Sequence, residues 1–332
     1  MININDILEE NMININDIKE ARERIGSYVH RTPLMSSEGI SRIAGTELNF
    51  KCENLQKTGS FKTRGAFNKI LSLPEDVRAK GVCCYSSGNH AQAVCYAARA
   101  LGIDAYVYMP ETAAPSKVAA CRAYGGQITQ YGQTGADVYP VAKAFAEEHG
   151  IVYIDPVEDP YIMAGQGTAG LEVLEDLPEV DTVYVQIGGG GLMSGVATAV
   201  KGLKPSVRVI GVEPEHMNCM SASLAAGRIT KIERRYSIAD GLAGDAPGPL
   251  AFETVSRLVD EVITVSDEEI AQATLLLMER AKLVAEPSGA CALAGLLSGK
   301  GPKGSKTVCV ISGGNVNNQV LARLLAESSA TL

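Results

Sequence analysis

The chain has 332 residues, with 30 Lys and Arg against 38 Asp and Glu, a formal net charge of −8, 46% hydrophobic residues and no tryptophan. This acidity excludes a nucleic-acid partner, because phosphate backbones demand basic patches. The length allows a large core and two lobes, and no apolar run reaches the roughly 20 residues that a membrane span needs.

Met1–Ile7 (MININDI) recurs at Met12–Ile18, a two-copy heptamer that makes no repeat architecture. Residues 1–11 are therefore expected to be a poorly ordered extension. No basic segment followed by an apolar one opens the chain, so no signal peptide is expected. Eight cysteines lie scattered without Cys-x-x-Cys or zinc spacing. Cys83 and Cys84 sit in an apolar run and read as small buried residues, consistent with a reduced, cytoplasmic setting.

Ser60-Phe61-Lys62-Thr63-Arg64-Gly65-Ala66 follows a turn at Gly59. Alone, Lys62 would read as a solvated surface charge like most lysines. From residue 80 the chain alternates short β-rich runs with helical ones. Val82–Ser86, Ala105–Met109, Ile128–Tyr131 and Ile151–Ile154 are predicted strands, with helices starting near His90, Ser116 and Gly135. A second series follows: Thr182–Ile187, Val207–Val212 and Thr307–Ile311 as strands, and Leu192–Val200 as a helix. Ser266-Asp267-Glu268-Glu269 is a capping box that predicts a helix to about Lys282. Alternation of this kind means parallel sheets covered by helices, with ligands at the carboxyl ends of strands.

Three predicted strand ends carry polar, glycine-rich loops: Ser86-Ser87-Gly88-Asn89-His90, Gly188-Gly189-Gly190-Gly191, and Ser312-Gly313-Gly314-Asn315. Each alone is ordinary turn chemistry. Four successive glycines before a helix, however, expose several N–H groups that attract a phosphate dianion. The run is no dinucleotide fingerprint and no P-loop, since no Gly-Lys-Ser/Thr closes it. A reactive amine with a phosphate cradle over a hundred residues away points to a phosphorylated aldehyde, pyridoxal 5'-phosphate.

These motifs, with G-Q-G-T, A-D-G and Glu286-Pro287-Ser288-Gly289-Ala290, stand in an order that resembles the serine/threonine dehydratases. That family belongs to the tryptophan-synthase-β-like pyridoxal phosphate enzymes, which include serine racemases. The resemblance runs from about Asp17 to Leu325. It implies a two-lobed α/β architecture of fold type II, with residues 12–79 and 157–332 as a large domain and 80–156 as a small one. It further implies a homodimer or homotetramer. The implied reaction converts L-threonine or L-serine to 2-oxobutanoate or pyruvate and ammonia.

By the same resemblance Lys62 would hold the cofactor as a Schiff base and then remove the substrate α-proton. Phe61 would pack near the ring, and Asn89 would bond its hydroxyl. Gly188, Gly189, Gly190, Gly191 and Leu192 would hold the phosphate. Ser312 would face the ring nitrogen, where a neutral hydroxyl makes a weaker electron sink and disfavours transamination. Ser86, Ser87, Gly88, Asn89 and His90 would take the substrate carboxylate. Ser87 is also where racemases place a hydroxyl that reprotonates the α-carbon, so serine racemase and 3-hydroxyaspartate ammonia-lyase stay open as alternatives.

Metal-binding members hold Mg²⁺ or Ca²⁺ with a glutamate, a carbonyl and an aspartate. Here Glu213 and Met217 would supply the first two, but Cys219 stands in the aspartate's place, a poor ligand for hard cations. The alternative is that Glu213 caps a strand end. The chain stops soon after the S-G-G-N loop, so a short catabolic type without isoleucine feedback is expected. A catalytically silent relative would be expected to lose Lys62 or the glycine run, and both are present. A β-replacement synthase shares the fold, but the A-D-G and E-P-S-G segments favour the dehydratases.

Overall fold

The computed structural model describes residues 12–233 and 235–328; the expectation for residues 1–11 lies outside the described residues. Among the described residues ten strands form two sheets. The larger sheet holds β1 (Leu34–Ser36), β2 (Glu47–Cys52), β7 (Thr182–Gln186), β8 (Arg208–Pro214), β9 (Glu261–Val265) and β10 (Lys306–Ile311). Their order is β1-β2-β10-β7-β8-β9, parallel except for β1 against β2. The smaller sheet is all parallel, in the order β5-β4-β3-β6, from β3 (Val82–Tyr85), β4 (Ala105–Met109), β5 (Gln127–Gln130) and β6 (Val152–Tyr153). The chain thus begins one sheet, leaves to build the other, and returns.

Central strands of parallel sheets are buried on both faces, so they read as unbroken apolar runs. Strand β7 shows the two sides. Val183 and Val185 pack with Val196 and Val200 of the helix Gly191–Leu203, whereas Tyr184 packs with Leu293 and Leu296 of the helix Pro287–Leu297. This is the period-2 alternation of a pleated strand. The smaller sheet has its own core, in which Val82, Cys84 and Val107 meet Ala91, Val94 and Ala98 of the helix Asn89–Ala100.

The predicted strands all form, with ends shifted by at most two residues, and the helices start at Asn89, Pro115 and Gly135. The capping box of Ser266 and Glu269 also forms. The helix it opens does not stay α-helical to Lys282. It stops at Leu276, passes through a π turn at Leu277–Ala281, and is closed by Lys282 at φ +60°. That left-handed residue turns the chain so that Leu283 N–H donates back to Leu277 O at 3.0 Å, and Leu283 and Ala285 enter the core.

Candidate active site

Lys62 opens the helix Lys62–Ser72, and the turn before it is sewn to the loop after β10. Phe61 N–H donates to Ser312 O (3.0 Å), Gly314 N–H donates to Gly59 O (2.8 Å), and Ser60 bridges Gly313. The Lys62 amine therefore leaves the carboxyl edge of the large sheet at a fixed place. Its Nζ donates to Pro156 O at 2.7 Å and lies 5.2 Å from the centre of the Phe61 ring. Burial pushes the amine down to about 8, against the opposing charge of Asp155. A neutral, nucleophilic amine is thus accessible near physiological pH.

Facing it, the Ser86–His90 loop ends β3. Gly88 N–H donates to Ser86 Oγ at 3.2 Å, and Asn89 begins the next helix. His90 is buried, and its Nε2 contacts Ile154 O at 3.0 Å. A carbonyl only accepts, so Nε2 carries the proton. Burial and the nearby Lys62 push the imidazole down to about 3, and its Nδ1 has no partner among the described residues. Glu286 is buried beside Asn89, whose Nδ2 donates to Glu286 Oε1 at 2.6 Å. Desolvation pushes this carboxyl up to about 7, with the Asn89 bond opposing.

The Gly188–Gly191 loop follows β7. Gly190 sits at φ +99° as the N-cap of the following helix. A Cβ on Gly188 would come within 2.9 Å of Leu242 Cα, and one on Gly189 within 2.7 Å of Val157. Among the described residues no hydrogen bond uses the N–H groups of Gly188 to Leu192. Ser312 closes the ring of contacts. With the Gln186 carboxamide turned to donate to Val310 O (3.1 Å), its oxygen accepts from Ser312 N (3.2 Å) and Ser312 Oγ.

All three loops, Phe61 and Lys62 line one cleft of about 460 Å³, the size of a small-ligand site. Every residue expected to touch cofactor or substrate is therefore in one place. The cleft also brings in Lys117, Gln186 and Asp240, which were not singled out as site residues from sequence; Lys117 Nζ meets Asp240 Oδ2 at 3.1 Å across its mouth. The cradle of N–H donors without acceptors and the half-buried amine fit a phosphorylated aldehyde.

A family model described as "Pyridoxal-phosphate dependent enzyme" matches residues 25–313. The chain belongs to this family. The enzyme is 47% identical to the L-threonine ammonia-lyase of Thermotoga maritima, over 95% of this chain and 78% of that protein. Its structure is similar to that of maize serine racemase, with a TM-score of 0.91 and 42% identity over 96% of this chain and 98% of the other. It is also similar to the threonine deaminase of T.th., with a TM-score of 0.88 and 43% identity over 92% of this chain and 99% of the other.

The residues that the resemblance assigns to a metal are engaged otherwise in this structure. Glu213 Oε1 accepts from Met220 N (2.8 Å), and Oε2 accepts from Ser221 N (2.8 Å) and Ser221 Oγ. The carboxylate thus caps the helix Cys219–Ala226 rather than facing an ion. Met217 is buried, and burial with the Glu213 charge pushes the Cys219 thiol up to about 12, so it stays protonated. Among the described residues no three His, Cys, Asp or Glu form a metal cluster.

Proposed function

We propose that the enzyme is an ammonia-lyase converting L-threonine and L-serine to 2-oxobutanoate and pyruvate, with release of ammonia. The observation that carries this reading is a partly neutral Lys62 amine in one cleft with a phosphate cradle, in a chain so similar to an L-threonine ammonia-lyase. Pyridoxal phosphate, when bound, supplies an electron sink for negative charge at the substrate α-carbon. Lys62 would hold that cofactor and take the α-proton, which its lowered affinity for protons allows near neutral pH. The Ser86–His90 loop would bind the substrate carboxylate at a helix start. Gly188 to Leu192 would hold the phosphate, Asn89 would donate to the ring hydroxyl, and Ser312 would face the ring nitrogen. His90 stays neutral and fixes the loop to the Ile154 segment.

Residues 12–79 and 157–332 form the proposed large domain and 80–156 the small one, a division supported by the two sheets. Lys117 is a cation that could favour the β-carboxylate of 3-hydroxyaspartate, but Asp240 already neutralises it. Serine racemase is the second reading, because Ser87 lines the cleft and the maize serine racemase fold matches closely. The proposed enzyme is cytoplasmic and a homo-oligomer; no helix among the described residues is long and apolar enough to cross a membrane.

The test is one quenched assay with L-threonine and L-serine, each sample analysed for 2-oxo acid and for inverted amino acid. Oxo acid with little D-serine is expected, and Ser87→Ala should leave its rate within about threefold. Abundant D-serine that disappears in Ser87→Ala would establish the racemase instead.

A further inference from the structure

Four residues from four segments form one hydrogen-bonded chain beneath the cleft. Asn315 Nδ2 donates to Thr58 O and to Asn89 Oδ1, each at 2.8 Å, and Asn89 Nδ2 donates to Glu286 Oε1 at 2.6 Å. The order of donors follows from one fixed end. The Thr58 carbonyl only accepts, so Asn315 must face it with nitrogen. That nitrogen also faces Asn89, which must answer with oxygen, and this turns the Asn89 NH₂ toward Glu286. One hydrogen of that NH₂ remains for the cleft, which Asn89 lines.

Asn315 is itself anchored on the Thr58 carbonyl. It lies against Gly59, whose φ is +72° and where a Cβ would come within 2.6 Å of Asn315 Oδ1. Glu286 is the changeable end. Asn89 contacts it from one side, Gly313 backs it, and the charges of Asp240 and Lys117 act on it from the cleft mouth. Ionised, Glu286 only accepts and pins Asn89 in the observed orientation. Protonated, it can donate to a flipped Asn89 equally well, and only Asn315 then opposes the flip.

We propose that Asn315 is a positioning residue that keeps the Asn89 NH₂ facing Glu286 and the cleft in both charge states of Glu286. The proposal rests on the reading of Asn89 as a donor to the cofactor. Glu286 titrates near 7, so the contribution of Asn315 belongs to the acid side of neutrality.

Equilibrium dialysis of the full-length holoenzyme against graded pyridoxal phosphate, read by absorbance at pH 6 and pH 8.5, tests it. Relative to the unaltered enzyme, Asn315→Ala binds the cofactor about tenfold more weakly at pH 6, with a clearly smaller loss at pH 8.5. Adding Glu286→Gln, which can donate or accept at every pH, spreads the full loss over both pH values. Asn315→Leu keeps similar bulk against Gly59 but neither donates nor accepts, and shows the same pH 6 deficit should the alanine variant not fold. Equal losses at both pH values, or none, overturn the proposal and leave Asn315 a packing residue. Asn89→Ala is measured alongside; if it retains full cofactor affinity, the reading of Asn89 fails and the proposal with it.

Discussion

Lys62 Nζ donates to the backbone oxygen of Pro156 at 2.7 Å, joining the start of the Lys62–Ser72 helix to the segment that leads out of the smaller sheet. The amine is thereby drawn out of water, and burial lowers it to about 8. Below that pH it is an ammonium ion and cannot attack an aldehyde. Capture of pyridoxal phosphate by cofactor-free enzyme should therefore rise about tenfold per pH unit below 8 and flatten above. Stopped-flow absorbance from pH 6 to 9.5 checks this, and a rise continuing undiminished to pH 9.5 would mark an ordinary exposed lysine. The same depression acts on stability. An unfolded lysine titrates at 10.5, so the cost of burying the charge is fully present below about pH 8 and vanishes by 10.5. Lys62→Met should stabilise the cofactor-free protein by about 3 kcal/mol at pH 7 and by little at pH 10.5, measured by urea unfolding.

The phosphate cradle makes a separate demand. A Cβ on Gly188 would come within 2.9–3.2 Å of the Leu242 Cα, carbonyl carbon and oxygen, which are backbone atoms that cannot swing aside. Gly188→Ala should displace the loop and weaken pyridoxal phosphate binding about tenfold, with the far-ultraviolet circular dichroism unchanged. Unaltered affinity on dialysis would remove the loop from the phosphate site.

The glycine loop, Lys62 and the Ser86–His90 turn were legible in sequence because each packs its chemistry into a few consecutive residues. Strand β2 was not, since its run ELNFKC carries Lys51, which breaks the apolar signal although the lysine is fully buried against Glu172 at 2.5 Å. For Glu213 the sequence left a metal ligand and a cap as alternatives, and the helix whose N–H groups it accepts, starting six residues on, could be recognised only from the fold. Lys117 and Asp240 meet only through the fold, 123 residues apart, and no local spacing could announce them.

Arg64, two residues past Lys62, is fully buried, and its guanidinium grips two carboxylates. Nε and Nη2 reach Glu53 at 2.8 Å each, while Nη1 and Nη2 reach Glu172 at 2.7 and 2.8 Å. This clamp ties the first turn of the Lys62–Ser72 helix to the end of β2 and to the helix Pro160–Asp176. Arg64→Met would leave Glu53 buried without its direct ion-pair partner and Glu172 with Lys51 alone, and should cost about 3–5 kcal/mol at pH 7. Although burial alone would raise Glu53, its pairing with Arg64 wins and holds it below the usual carboxylate range. Its contribution is present above about pH 4.5 and fades as pH falls, so the deficit of the variant should shrink at pH 4. Urea unfolding at the two pH values measures this, and an equal deficit at both would deny the ion pairing its role.

Glu213 carries the opposite prediction about metal. Its two oxygens satisfy Met220 N–H, Ser221 N–H and the Ser221 hydroxyl, so removing the side chain should cost about 1–3 kcal/mol through those abandoned donors. Chelation with EDTA, by contrast, should leave both melting temperature and activity unchanged. Burial raises Glu213 to about 7, so its titration favours the fold fully below pH 4.5 and loses that effect as pH rises through 7. Cys219→Asp would place a second carboxylate beside it. At pH 8, where both are charged, that variant should melt lower in EDTA and recover with Mg²⁺, since a hard cation with oxygen ligands then offsets the repulsion. A fall in the unaltered enzyme's melting temperature on chelation, reversed by Mg²⁺, would show that the cap has been misread.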